Sequence, residues 1–215
     1  MAKEVKQEAA IPRKSIFRLS IYQRCLERLR KNGMETVSSE VLAKAAGVKP
    51  TQLRKDLTYF GQFGTRGLGY NVESLSATIN EVLGTNSLQP VVLVGVGNLG
   101  AALLRYQGFQ KEGFELRAAF DSDHSRCEEI SKHSGIPVHP VDEMRGFVQA
   151  NSVKMAILTV PARVAQEVAN ELVEAGVQAI LNFSPTVLQV PDKVMVHAVD
   201  LALALEHLSY FVRSE

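Results

Sequence analysis

Three glycines in the middle of the chain fall at positions one, three and six of Gly95-Val96-Gly97-Asn98-Leu99-Gly100. An apolar run, Val91 to Val94, precedes them, and a helix-forming stretch, Ala101 to Tyr106, follows. A strand, a glycine turn and a helix start bring backbone N–H groups and the positive end of a helix to one point, which suits phosphate. Gly95 permits the turn, Gly97 lets a pyrophosphate approach the backbone, and Gly100 lets helix and strand pack closely. A second strand, Glu115 to Phe120, ends in Asp121, where an acidic side chain reaches a ribose. The combination predicts a dinucleotide site. Ser122 and Asp123, not Lys or Arg, follow Asp121, so a 2′-phosphate would meet negative charge and NAD is expected rather than NADP. Thr159-Val160-Pro161 and Asn182-Phe183-Ser184-Pro185 close two later strands. Ligands of such sheets sit at the carboxyl ends of strands, so Thr159, Val160, Pro161, Phe183, Ser184 and Pro185 are expected to wall the nicotinamide.

A second group of residues suits a different polyanion. Ser38 can cap a short helix that stops near Gly47, and Pro50 suits the first turn of another running to about Phe60. Two short helices on a glycine turn make a helix-turn-helix pattern, here spanning about residues 17–56. Leu42, Ala43, Ala46, Val48 and Leu53 fill the crossing. Asp56 departs from the pattern where a buried aliphatic is common, and Leu57 beside it can take that contact. The second helix should enter a DNA major groove with Lys49, Thr51, Gln52, Arg54, Lys55 and Thr58 outward. Glutamine can pair with adenine and arginine with guanine, while lysine and threonine suit phosphates. Arg13 and Arg18 on the preceding helix, Tyr59, and Arg66 in a glycine-rich hairpin at about 60–70 complete the expected DNA-binding set. That hairpin reads as the wing of a winged helix, with Arg66 directed at a minor groove or phosphates.

These groups need positioning elements. Ile16, Leu19, Tyr22, Leu26 and Leu29 recur at helical spacing, which predicts a first helix over 15–31. Residues 73–83 predict a fourth helix, and Gly84 to Ser87 a linker. From Pro90 onward strands and helices alternate, the signature of a parallel sheet. Strands are expected near 91–94, 115–121, 136–139, 153–160, 179–183 and 194–199. Residues 1 to about 12 read as disordered. The fold class is α/β, with a winged-helix domain over 1–85, a Rossmann dinucleotide-binding domain over 86–199 and a C-terminal helix over 200–215. That last helix is apolar around too much of its circumference for a surface helix, so it is expected to pack on a second subunit.

Charge agrees with this division. Residues 1–85 hold 14 Lys and Arg against 8 Asp and Glu, a balance of +6, and residues 86–215 hold 10 against 15, a balance of −5. A basic part on an acidic part suggests that one end meets a polyanion. No apolar run reaches the ~20 residues of a membrane span and no signal peptide is visible, so a soluble, cytoplasmic protein is expected. Cys25 and Cys127 lie far apart without a metal-ligand pattern and read as reduced thiols. A dehydrogenase would need an acid–base group and a substrate domain. The nucleotide-binding fold consumes the second part of the chain and the basic helices the first, while His139 and His197 read as sheet residues. The competing classes are an NAD-dependent oxidoreductase with an accessory basic domain and a nucleotide-gated adaptor for protein partners.

VSSEVLAKAAGVKPTQLRKDLTYFGQFGTRGLGYNVESL, GVGNLG, AILTVPA and ILNFSPTVLQVP together resemble the Rex family of redox-sensing transcriptional repressors. The resemblance covers about residues 11 to 212, and its RKDLTYFG to RGLGY stretch is far more specific than the glycine fingerprint. Lys14 to Phe17 depart from the family's usual residues. The resemblance implies a homodimer with swapped C-terminal helices that binds a pseudo-palindromic operator and is released by NADH, with NAD+ competing more weakly. It implies that Tyr106 and Asp200 pair across subunits in the NADH-bound state. It also places Leu201 where some members carry an aromatic, and Leu205, Leu208 and Phe211 in the dimer contact. No catalytic residue, metal or membrane is expected.

Overall fold

The computed structural model describes residues 11–64 and 68–212. The expected disordered N-terminus up to residue 10, and Arg66 with its two neighbours, lie outside the described residues. The chain forms two compact units that divide between Ser87 and Leu88. Thr85 still belongs to the first, because its N–H and hydroxyl both donate to Asn80.

The first unit contains α1 (Arg13–Lys31), β1 (Thr36–Val37), α2 (Ser39–Ala45), α3 (Pro50–Thr58), β2 (Tyr70–Asn71) and α4 (Val72–Leu83). Ser38 caps α2 by accepting from the Val41 N–H, and Pro50 opens α3 where a missing N–H costs nothing. Asn71 caps α4 and the left-handed Gly84 ends it. Leu19, Tyr22 and Leu26 of α1 meet Leu42, Leu53, Leu57, Leu75 and Ile79 in one core. Each such side chain contributes about 1.5–3 kcal/mol when fully buried. The α1 stripe differs from expectation at its start: Ile16 is exposed, and Ser15 and Gln23 turn inward instead. The sequence pattern missed β1 and β2. The strand described in the glycine-rich segment, Tyr70–Asn71, pairs antiparallel with Thr36–Val37 from before α2. Strands of two residues are too short to show an alternating pattern.

The second unit holds β3 (Gln89–Val94), α5 (Asn98–Leu104), α6 (Gly108–Lys111), β4 (Phe114–Asp121), α7 (His124–Ser134), β5 (Val138–Pro140), α8 (Met144–Ala150), β6 (Met155–Leu158), α9 (Ala162–Ala175), β7 (Ala179–Asn182), β8 (Met195–Ala198) and α10 (Leu201–Val212). The sheet is parallel throughout, in the order β5-β4-β3-β6-β7-β8. Chain order reverses between β3 and β6, and the crevice outside the carboxyl ends of those strands is where such sheets hold ligands. Val91 to Val94 are all buried, as a strand covered on both faces requires. Among the described residues no helix is long and apolar enough to cross a membrane.

Candidate functional site

In the first unit the exposed face of α3 and its approach carry Lys49, Thr51, Arg54, Lys55 and Thr58, as the helical register predicts, with Arg13 exposed at the start of α1. Tyr59, just past α3, is also exposed. Two expected contact residues are tied to Asp56. Arg18 donates from Nε and Nη2 to the two carboxylate oxygens of Asp56, at 2.5 and 2.6 Å, and the Gln52 amide nitrogen donates to Asp56 Oδ1 at 2.9 Å. Leu57 takes the expected core contact, and Asp56 is buried beside it among donors. Ser15 and Tyr22 hydroxyls also donate to Asp56, at 2.9 and 2.7 Å. Burial alone would raise the Asp56 pKa, but the donors, Arg18 foremost, outweigh it and hold it at about 2. The same contacts push the Arg18 pKa up, and burial with Asp56 raises that of Tyr22. Arg18 is thus a structural cation that ties α1 to α3. Arg54 reaches α2, donating to Ser39 Oγ at 2.7 Å and lying 3.6 Å from Glu40.

In the second unit a cleft of about 730 Å³ opens at the reversal point between β3 and β6. Gly95, Gly97, Asp121, Thr159, Val160 and Pro161 all line it. The three glycines do different things. A Cβ on Gly100 would stand 1.9 Å from the Gly95 carbonyl oxygen, so only glycine lets α5 lie this close. Gly95 has φ +96°, and a Cβ there would meet the Thr159 backbone at 2.8 Å. Around Gly97 nothing stands within 4 Å of a Cβ. That open space beside the start of α5 is what a bulky anionic group needs. Val96 is buried and its N–H donates to Asp121 Oδ2 at 2.6 Å, while Oδ1 accepts from the Asp123 N–H. The carboxylate is thereby fixed against the glycine turn with lone pairs left for hydroxyl donors. Asn98 and Leu99 are exposed on the first turn of α5. Thr159 Oγ1 donates to the Gly95 carbonyl at 2.6 Å, bracing the turn from β6.

Ser184 is buried, and its hydroxyl donates to the Val160 carbonyl at 2.6 Å, joining the two loops expected to form the wall. Phe183 packs on the core, and Pro185 is exposed. The brace beneath them is Asn182, 1% exposed, which accepts from the Ser184 N–H and donates to the Ser184 and Thr186 carbonyls. Sequence reasoning missed the other wall. Val164, Glu167, Val168 and Glu171 on one face of α9 line the cleft, as do Arg163 and Val141. Their helical spacing is legible, but only the sheet order says which face looks into the crevice. Asp123 lines the cleft two residues from Asp121, so that end is acidic and suits an unphosphorylated ribose. Cys127 is buried with its thiol at 3.4 Å from the Asp123 carbonyl, and burial pushes its pKa up. His139 stacks on Phe120 within the fold, and His197 lies exposed in β8. Among the described residues no group of His, Cys, Asp and Glu could hold a metal ion.

Asp200 accepts from the Leu203 N–H at 3.0 Å and so caps α10. Tyr106 is exposed and packs edge-on against Phe109. Among the described residues no hydrogen bond joins Tyr106 to Asp200. Leu201, Leu205, Leu208 and Phe211 of α10 are each at least 58% exposed, and the helix buries none of its residues.

Comparison with known proteins follows the same division. A family model described as a putative DNA-binding protein N-terminus matches residues 10–58, and one described as a CoA binding domain matches residues 86–186. The redox-sensing transcriptional repressor Rex of Carboxydothermus hydrogenoformans is 48% identical over 206 residues, covering 95% of this chain and 98% of its own. That of Pelotomaculum thermopropionicum is 47% identical over 200 residues, 93% of each chain. The crystal structure of RSP in complex with β-NAD+ and operator DNA matches with TM-score 0.87 at 37% identity, over 95% of this chain and 93% of that one. RSP in complex with β-NADH matches with TM-score 0.82 at 36% identity, over 95% of each. With identity of this level over nearly the whole length, on both the basic helices and the glycine-turn sheet, this chain belongs to the Rex family of redox-sensing transcriptional repressors.

Proposed function

We propose that this protein is a homodimeric repressor that binds a pseudo-palindromic operator when NADH is scarce and leaves it when NADH binds, with NAD+ competing more weakly. The observation that carries the reading is the pairing, in one chain, of an exposed basic helix on a helix-turn-helix with a cleft left open by Gly97. The cleft fits a dinucleotide. The glycine turn and the start of α5 would hold the pyrophosphate, Asp121 the adenosine ribose, and the loops after β6 and β7 the nicotinamide. When bound, the coenzyme supplies a nicotinamide ring that is neutral when reduced and cationic when oxidised. Val160, which lines the cleft, offers that ring an apolar surface, which disfavours the cation. Asp121, already tied to the Val96 N–H, carries the ribose contact to the turn that precedes α5. The coenzyme is a signal and is not consumed, so the protein is not an enzyme.

A helix-turn-helix dimer reads two half-sites about one helical turn, ~34 Å, apart. The apolar face of α10 supports a dimer with exchanged C-terminal helices, and Tyr106 with Asp200 of a partner copy supports a contact that forms when NADH is bound. To move the dimer from 1:99 to 99:1 between its two arrangements takes ~5.5 kcal/mol of differential affinity, shared by two sites. Titration of a labelled operator duplex against a varied NADH to NAD+ ratio tests this. NADH is expected to release the DNA and excess NAD+ to oppose release. Equal DNA affinity with and without saturating NADH would end the reading.

A further inference from the structure

Asp56 determines how the recognition helix presents Gln52, and this inference rests on the DNA-binding reading above. A carboxylate only accepts hydrogen bonds. Asp56 is fully buried among Ser15, Arg18, Tyr22 and Gln52, so the end of the Gln52 amide turned towards it must be the nitrogen. The Gln52 carbonyl oxygen, on the opposite end, has no partner among the described residues. Gln52 itself is half-buried on α3, between the exposed Thr51 and Arg54. A free glutamine can rotate its amide to offer a donor or an acceptor to a base edge, and Asp56 removes that freedom.

We propose that Gln52 reads the operator through its carbonyl oxygen, as an acceptor that selects an exocyclic base amine, adenine N6 or cytosine N4, in the major groove. The oxygen repels guanine O6 and thymine O4, which are acceptors themselves. The charged network beneath α3 therefore does more than join two helices. It converts an ambivalent side chain into a one-way reader.

The test uses the full-length protein without coenzyme. Wild type and Gln52→Met, a near match in length, each select duplexes from a random library, and their melting temperatures are compared to confirm that the variant folds. One position per half-site should lose its preference in the variant. The base there is then replaced in the wild-type motif by an analogue lacking only the exocyclic amine, such as purine for adenine. Removing the amine should weaken wild-type binding about 10-fold and Gln52→Met binding by less than about two-fold. Coupling to the purine N7 with none to the amine overturns the proposal, as does a selected motif identical in the two proteins. If wild type selects no motif at all, the DNA-binding reading itself has failed, which is a different result.

Discussion

In the first unit a buried carboxylate, Asp56, draws together side chains from α1 and α3, whereas in the second unit the decisive residues act by having no side chain at all. The helix-turn-helix is positioned by an excess of polar contact, the glycine turn by an excess of room. Each solution fits its task. A helix that must present residues to a duplex has to be held from behind, and charge can do that where every lone pair is satisfied. A turn that must admit a phosphate has to be left empty. The difference implies that the two units fail in different ways, and the following changes separate them.

The largest effect is expected from Asp56→Ala. Removing the buried carboxylate leaves Ser15, Tyr22 and the 21% exposed Arg18 without their acceptor and costs about 3 kcal/mol, the low end for a buried pair. The first unit should lose stability and operator binding, while NADH binding, followed by coenzyme fluorescence, should persist in the second. Parallel loss of both activities would show that the units do not fail separately. Next come the two glycines of opposite kind. Gly100→Ala forces a Cβ to 1.9 Å from the Gly95 carbonyl, so α5 must move, and overpacking of this sort costs about 1–3 kcal/mol. Gly97→Trp starts from open space, because a Cβ there meets nothing within 4 Å. It should melt like wild type and bind operator, but NADH should no longer release it. Normal release would place the pyrophosphate elsewhere.

Acid offers a graded version of the first change. The Asp56 pKa is about 2 in the folded chain against an ordinary 3.8. A depressed carboxylate stabilises the fold above its unfolded pKa, and that contribution is lost as pH falls through the folded value. The first unit should therefore lose about 2 kcal/mol between roughly pH 4 and pH 2. Hydrogen exchange measured segment by segment should show α1 and α3 losing protection over that window, and Asp56→Asn should abolish the dependence. Protection in those helices that is insensitive to pH would deny Asp56 its place as the holding charge.

The same contrast governs what could be read without coordinates. The glycine turn was legible because its mechanism depends on backbone and spacing, which sequence states directly. The parallel sheet was legible because its strands alternate with helices, and the exposure of α10 because an apolar circumference has no partner in its own chain. The Asp56 network was not legible. Asp56 looked like a flaw in a helix-turn-helix pattern because the residues that satisfy it, Ser15, Arg18 and Tyr22, lie more than thirty positions earlier. Residue type alone places Arg18 and Gln52 on the DNA face and says nothing of the bonds that tie both to Asp56. The α9 wall was hidden for a related reason. Its face has an ordinary helical period, and only strand order shows that it borders the cleft.

The smallest change concerns a residue on the exposed side of the same helix. Arg54 is about half exposed, and its bonds to Ser39 and Glu40 lie at the surface, where an ion pair contributes about 0–1 kcal/mol. Arg54→Ala should therefore barely alter melting. Its effect on DNA depends on what the guanidinium touches, and two measurements decide. If it meets a phosphate, the slope of log affinity against log salt should fall by about 0.9 with base preferences unchanged. If it meets a guanine edge, the slope should hold and one position per half-site should lose about 10-fold or more of its preference. The contacts with Ser39 and Glu40 place the guanidinium beside the start of α2, and being weak they yield to either partner. A slope change with intact preferences makes Arg54 a phosphate anchor and leaves base reading to Gln52.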